Sequence, residues 1–384
     1  MHFHRSLRRS CSSRRGSILT VAAASLVMIF AFAAFVVDVG YITLSRAELS
    51  AASDAASMAA AQELTEGYKN GLTTAQIVTN AQNAAVAVAA ANSGTGQASL
   101  YCNPTRDVEL GRYSWNAATS SYVTSWGTTP YNVARVTLNR NMAGSANGDK
   151  PLDLFFAPVI GTKTAGVKRN GMAAMLPIVG VKKIPNVNLN ILPITLDLPT
   201  WTNCENGNGS DVYSYNASTG TITSGSDGIK EVDLYPLSSS TTTAGNRGTV
   251  DIGSSNNSTA DISRQIRYGV NDTDMSYFGG KFDWSAGSIT LNGDTGLSAG
   301  IKDDLAAIKG MPRLIPIFTS VSGPGNNAMY VIPKFVGIRI LHVQLTGNQK
   351  KVIVQPCSFS EPAGVIGSTT IGTGTVYGPV KIVK

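Results

Sequence analysis

Residues 18–64 read ILTVAAASLVMIFAFAAFVVDVGYITLSRAELSAASDAASMAAAQEL, a run of helix-forming composition without a proline. Its first twenty residues, Ile18 to Val37, carry no charge. At ~1.5 Å per residue a helix of that length reaches about 30 Å, the thickness of a bilayer's hydrocarbon core. A cleaved signal peptide normally has an apolar region of only about 7–15 residues. FAFAA does offer small residues to a peptidase, and a buried core helix is the third option. Length favours an uncleaved anchor. Asp38 follows the run directly, with Gly40 behind it. An aspartate at the centre of a membrane helix costs about 2.5–3.5 kcal/mol on insertion scales and much less at the interface. Asp38 is therefore expected to mark where the lipid ends.

The formal net charge of +7 is concentrated ahead of this run. Arg5, Arg8, Arg9, Arg14 and Arg15 precede it, and no acidic residue occurs before Asp38. Beyond residue 15 the balance is 26 basic against 24 acidic residues, so no phosphate-binding surface and no nucleic-acid partner are expected. Arginines before the span and none just after it predict a cytoplasmic N-terminus (1–16) and a translocated body, periplasmic or extracellular. The 384-residue chain has 43% hydrophobic residues, enough for a sizeable core, and only 14% charged residues. Of its four cysteines, Cys11 falls on the cytoplasmic side. Cys102, Cys204 and Cys357 permit at most one internal disulfide, with the pairing open.

From Tyr41 to Leu64 the helical pattern continues without Gly or Pro. Ala47, Ala51, Ala55 and Ala59 repeat every four positions, a stripe along which another helix could pack closely. Arg46, Ser50, Ser53, Asp54 and Ser57 fall on another face. Thr73 and Gln76 have capping-box spacing before AQIVTNAQNAAVAVAAAN, so residues 17–95 are read as a span running into an Ala-rich helical hairpin. A second copy of the chain is the other candidate partner for the stripe. From about Leu100 the period becomes alternating: RDVELGRYSW, SSYVTSW, NVARVTLNR and AGVKRNGMAAMLPI are strand-like, and LDLFFAPVIG is a short apolar helix or turn closed by Gly161. Residues 96–178 thus form a small β-rich domain. A second one, 179–384, opens at NVNLNILPITLDLPTW. It contains helices ending at Gly269 and Gly310, and close-spaced strands between Arg313 and Val354. The fold class is α+β, with a mostly antiparallel β-rich body.

Catalytic chemistry is sparse. His342 is the only histidine after the span, in the strand GIRILHVQL, and a histidine satisfied by its sheet neighbours is the plainer reading than a triad. NDTDMS sets Asp272, Asp274 and Ser276 at alternate positions with Asp283 at the twelfth, but Tyr277 stands where a calcium loop needs Gly, which favours a polar turn. In DIGSS, Gly253 replaces the first serine of a metal-dependent adhesion motif, and a turn with positive φ is expected there. Neither a metal nor any other cofactor is expected, and the chain is not read as an enzyme. An envelope hydrolase built on Asp272, Asp274 or His342 is the weakest functional option. An adhesin or glycan binder using Trp115, Trp126, Trp201 and Tyr213 is the stronger alternative.

The run from Arg14 to Leu64 resembles the N-terminal module of TadG-like proteins of Flp pilus assembly, the tight-adherence system. The resemblance rests on Arg15 and Gly16, on Asp38 to Gly40 at the end of the span, and on Asp54 to Ala56, which match in order and spacing. LGRYSW, NVARVTL, PLDLFFAPVIG and GMAAML look like the β-rich segment that follows this module, and YVIPKFVGIRILHVQLTG is similar to the C-terminal part of some members. The resemblance implies a single-pass cell-membrane protein with an extracytoplasmic bulk, working beside the lipid bilayer with pilus or secretion-platform proteins, and implies no catalytic residue. Two departures stand out. Gly253 argues against the von Willebrand factor A insertion of some relatives. Val21 stands five residues after Gly16, where type IV prepilins carry Glu, which argues against processing by prepilin peptidase.

Overall fold

The computed structural model describes residues 17–235, 247–253 and 258–383. Cys11, Arg15, Gly16 and the two serines of DIGSS lie outside them. The apolar run and its Ala-rich continuation form one unbroken helix, α1 (Ser17–Lys69), of 53 residues and, at 1.5 Å per residue, about 80 Å. It runs five residues beyond the expected Leu64. Gly71, at φ +66°, turns the chain, and Thr73 opens α2 (Thr74–Ala91) with the expected capping box: Thr73 Oγ1 accepts the Gln76 amide while Gln76 Oε1 accepts the Thr73 amide. α2 lays Ile77, Ala81, Ala85 and Ala89, a stripe of period four, against α1.

The other face of this hairpin rests on an antiparallel sheet. Its strands are β1 (Val108–Asn116), β2 (Ser121–Trp126), β3 (Val133–Arg140) and, after the short pair β4 (Leu152–Asp153) and β5 (Thr164–Ala165), β6 (Val167–Ala174). The order is β2-β1-β3-β6, and a strand from the far end of the chain, Lys381–Ile382, closes it beside β6. The 96–178 sheet is thus completed by a segment of the 179–384 region. α1 crosses β3 and β6 so closely that a Cβ added at Gly171 would stand 2.5 Å from the backbone of Ser53 and Asp54. Just before β3, the fully buried Asn132 accepts the Tyr113 amide and donates to the carbonyls of Tyr113 and Met175, so a polar side chain is buried there with its hydrogen bonds met.

The face of α1 that packs differs from the stripe the sequence suggested. Ala47 and Ala51 are exposed, and Ala55 and Ala59 are half-buried. The buried seam is Leu49, Ala52, Ser53, Ala56, Ser57, Ala60, Ala61 and Leu64. Period-four alanines occur on more than one face of this helix, and the two leucines select the face, since burying each stabilises by roughly 1.5–3 kcal/mol. Ser53 and Ser57 enter the core because their hydroxyls donate to the carbonyls of Ser50 and Asp54 in the preceding turn. With its hydroxyl satisfied, a serine is simply a small residue.

The second body is built from a five-stranded sheet (Val232–Asp233, Lys351–Pro356, Lys334–Gln344, Pro312–Phe318 and Leu196–Asp197, in that spatial order) and a four-stranded one (Gly248–Val250, Ile289–Thr295, Ala328–Ile332, Ser320–Ser322). Helices Thr259–Tyr268 and Lys302–Ala307 precede Gly269 and Gly310 as expected. NVNLNILPITLDLPTW, where the second β-rich region is expected to open, does not form a continuous strand. It makes isolated bridges at Leu189, Ile191 and Ile194, then a two-residue strand and the helix Leu198–Glu205. Pro193 interrupts the ladder, and Asp197 caps the helix by accepting the Thr200 amide at 2.8 Å. Gly253 takes the positive φ expected, +137°.

Candidate functional site

Between residues 18 and 37 every residue of α1 is exposed except Ala34, which is half-buried; from Ser45 onward one face is buried. The change occurs at Asp38, which is only 4% exposed. Its carboxylate accepts three consecutive backbone amides from the turn between β4 and β5: Phe155 at 2.8 Å on Oδ1, Phe156 at 3.0 Å and Ala157 at 2.6 Å on Oδ2. Burial opposes the charge, but the three donors prevail and hold the carboxyl below the ordinary carboxylate value. The sequence reading of Asp38 as a boundary residue misses this role. Asp38 is a receptor for backbone amides 117 to 119 positions away.

Over the following three turns α1 is tied to neighbouring loops. The Tyr41 ring meets Phe155 edge-on at 5.3 Å, and its hydroxyl donates to the Thr95 carbonyl at 3.1 Å. Glu48 accepts the Thr95 amide at 2.6 Å. Arg140, itself buried, donates to the carbonyls of Thr95 and Lys150, which ties the loop after α2 to the approach of β4. Burial lowers the pKa of its guanidinium, whose bonds to neutral carbonyls replace water. Gly40 is exposed, and a Cβ there would meet nothing within 4 Å, so packing does not require a glycine.

The opposite end of α1 is held differently. Arg339, 2% exposed, donates to the Lys69 carbonyl and, at 2.8 Å, to that of Gly310, and lies 3.6 Å over the Tyr215 ring. The last turn of α1 leaves carbonyls unsatisfied within the helix, so a cation there both caps it and complements its dipole. α1 is thereby fastened to the β4–β5 turn near its middle and to the second body at its C-terminal end.

The chemistry-bearing residues singled out in the sequence do not converge. His342 stacks on Tyr213 at 5.4 Å, and burial lowers its pKa. Asp274 pairs with Arg264 at 2.7 Å and accepts the Asn271 amide within its own short helix. Asp272 accepts the Asn186 amide, and Asp283 pairs with Lys281. Among the described residues no three His, Cys, Asp or Glu side chains are grouped to hold a metal ion. Cys102, Cys204 and Cys357 are buried free thiols, and burial pushes the first two up to about 12 and about 11. Trp201 is fully buried and Trp126 lies under Arg135, while Trp115 is 42% exposed.

Two family models match the N-terminal part of the chain. Residues 16–63 match the Tad family, described as Flp pilus-assembly TadE/G-like, and residues 59–173 match the Tad_C family, described as Tad-like Flp pilus-assembly. Over residues 16–173 the chain is TadG-like. The two matched segments overlap within α1 and together take in the whole helical hairpin and the sheet through β6 up to Ala173, the part of the molecule that Asp38 and Gly171 hold together. They give the TadG-like chain a role related to Flp pilus assembly. No curated protein and no solved structure matches it. In sequence, Asp38 and PLDLFFAPVIG stood as separate points of resemblance. Their contact, and the Arg339 clasp, carry no local sequence signal, because both join residues more than a hundred positions apart.

Proposed function

We propose that this TadG-like chain is a membrane-anchored structural component of Flp pilus assembly. In this reading residues 18–37 of α1 cross the bilayer once, the arginines before them stay in the cytoplasm, and the remainder of α1 is a rigid stalk carrying the β-rich body outside. The observation that carries the reading is the single helix Ser17–Lys69, whose first part is apolar and unpacked while its second part is packed on the body. An unbroken helix transmits position from membrane to body without a hinge. Pilus or secretion-platform proteins are the partners this reading supplies, and the exposed Ala47 and Ala51 give a second copy a place to pack.

Alkaline carbonate extraction and protease protection test it. The full chain is expected to stay with membranes, with its body cut only from the outer side, and deletion of 17–37 should release the body and reduce piliation. Release of the intact chain by carbonate overturns the anchor; unchanged pili and attachment overturn the assembly role. Trp115 keeps a glycan-binding adhesin as a second reading, since its exposed ring stands 5.2 Å from Tyr122 on the β1–β2 hairpin. Loss of surface attachment by Trp115→Ala with normal piliation would favour it.

A further inference from the structure

The turn held by Asp38 is among the most apolar exposed surfaces of the body. Between β4 and β5 the chain reads LFFAPVIGTK, with Phe155 64%, Phe156 47%, Val159 89% and Ile160 81% exposed. Contiguous exposed side chains of this kind mark an interaction surface. We propose that this turn dips into the lipid headgroup–acyl boundary, as a second contact of the body with the bilayer beside the anchor. The inference rests on the anchor reading.

Three features select lipid as the occupant. The first is height. Asp38 follows the apolar run directly, so the amides it holds fix the turn at the end of the span. Ala34, one helical turn further into that run and on the same face as Asp38, is the single half-covered residue there, and the 3-10 turn Ala157–Ile160 touches α1. The turn and the exposed helix therefore form one continuous apolar surface. The second is the backbone. Lipid provides no hydrogen-bond partners, so an inserting loop must satisfy its own donors. Asp38 takes three amides, Val159, Gly161 and Thr162 donate to carbonyls inside the turn, Leu154 donates to Lys163, and Pro158 has no donor. The third is the flank: exposed Lys163 stands where its stem can lie along lipid with its ammonium at the phosphates.

The test uses the full chain carrying Cys11→Ser, since the described native thiols are buried. Single cysteines are placed at Val159, at Val27 within the span and at Ser218 in the hairpin Tyr213–Ser224, whose Tyr215 lies under Arg339 at the far end of α1, roughly 45 Å from Asp38 at 1.5 Å per residue. Each is labelled with an environment-sensitive fluorophore and reconstituted in phosphatidylethanolamine–phosphatidylglycerol vesicles containing lipids with a shallow or a deep nitroxide. Val159 is so exposed that its label should not disturb folding.

We expect the shallow nitroxide to quench the label at 159 at least about twofold more than the deep one, consistent with insertion to the headgroup–acyl boundary. The label at 27 should be quenched by the deep nitroxide and that at 218 by neither. Quenching at 27 without quenching at 159 overturns the proposal and leaves the anchor standing; a protein occupant of the turn gives the same result, because these vesicles contain this chain alone. No quenching at 27 overturns the anchor reading, and the proposal falls with it.

Discussion

The two parts of α1 contrast sharply. Residues 18–37 are the more apolar, yet none of them is buried; residues 45–65 are dominated by alanine and serine, yet they form the seam on which α2 and the β3–β6 face rest. Within one helix, then, apolarity and burial run in opposite directions. Small side chains let backbones approach, and the approach to Gly171 is the clearest case. The large apolar side chains over 18–37 are covered by no described surface of the body.

The largest expected effect comes from blocking the packed half. Gly171→Val places a side chain into the backbone of Ser53 and Asp54 and should destabilise the body by about 3 kcal/mol or more, read from urea unfolding of the detergent-solubilised chain. The exposed half should not respond: a similar enlargement, Ala22→Val, is expected to leave that transition in place. Next is the far end of the stalk. Arg339→Met leaves the Lys69 and Gly310 carbonyls without their donor and should cost about 2–4 kcal/mol in the same measurement. An unchanged midpoint would mean that α1 is not fastened there.

At the boundary between the halves the effect is local. Asp38→Ala frees the amides of 155–157, and their hydrogen exchange should rise roughly tenfold or more while exchange in β3 stays unchanged. The same contact has a defined pH response. The folded Asp38 carboxyl lies below its ordinary 3.8, so the folded state holds fewer protons than the unfolded one near that pH. Protection of 155–157 should therefore be complete above about pH 4–5 and fade as the pH falls through and below 3.8. Fading as the pH rises would contradict the assignment. The smallest effect is on the outward stripe. Ala51→Leu should shift stability by no more than about 0.5 kcal/mol, whereas Ala56→Leu in the seam should cost about 1–3 kcal/mol. If Ala51→Leu alters the oligomeric state on crosslinking, the stripe is an interface between copies.

Much of the architecture is legible in sequence because its signals are local. The helix from the apolar run onward, the Thr73 capping box, β1 to β3 and β6, and the close-spaced strands after Arg313 all rest on patterns spanning a few residues. Which face of α1 packs was not legible, because alanines at 47, 51, 55 and 59 and at 52, 56 and 60 repeat equally well and the choice is made by leucines and by a glycine elsewhere in the chain. The site was half legible. Asp38 and LFFAPVIG were both conspicuous, but nothing in either says that one accepts the other's amides.

The strand Lys381–Ile382 beside β6 gives the molecule an order in time. A chain made from its N-terminus lays down α1, α2 and most of the first sheet early, yet the outer edge of β6 waits for Lys381 and Ile382, which are made much later. Until they arrive, a half-finished chain offers an unpaired strand to its neighbours, the kind of edge that invites wrong partners. Completion of the second body is thus coupled to completion of the first, and an interrupted chain is marked by an open seam next to its own stalk.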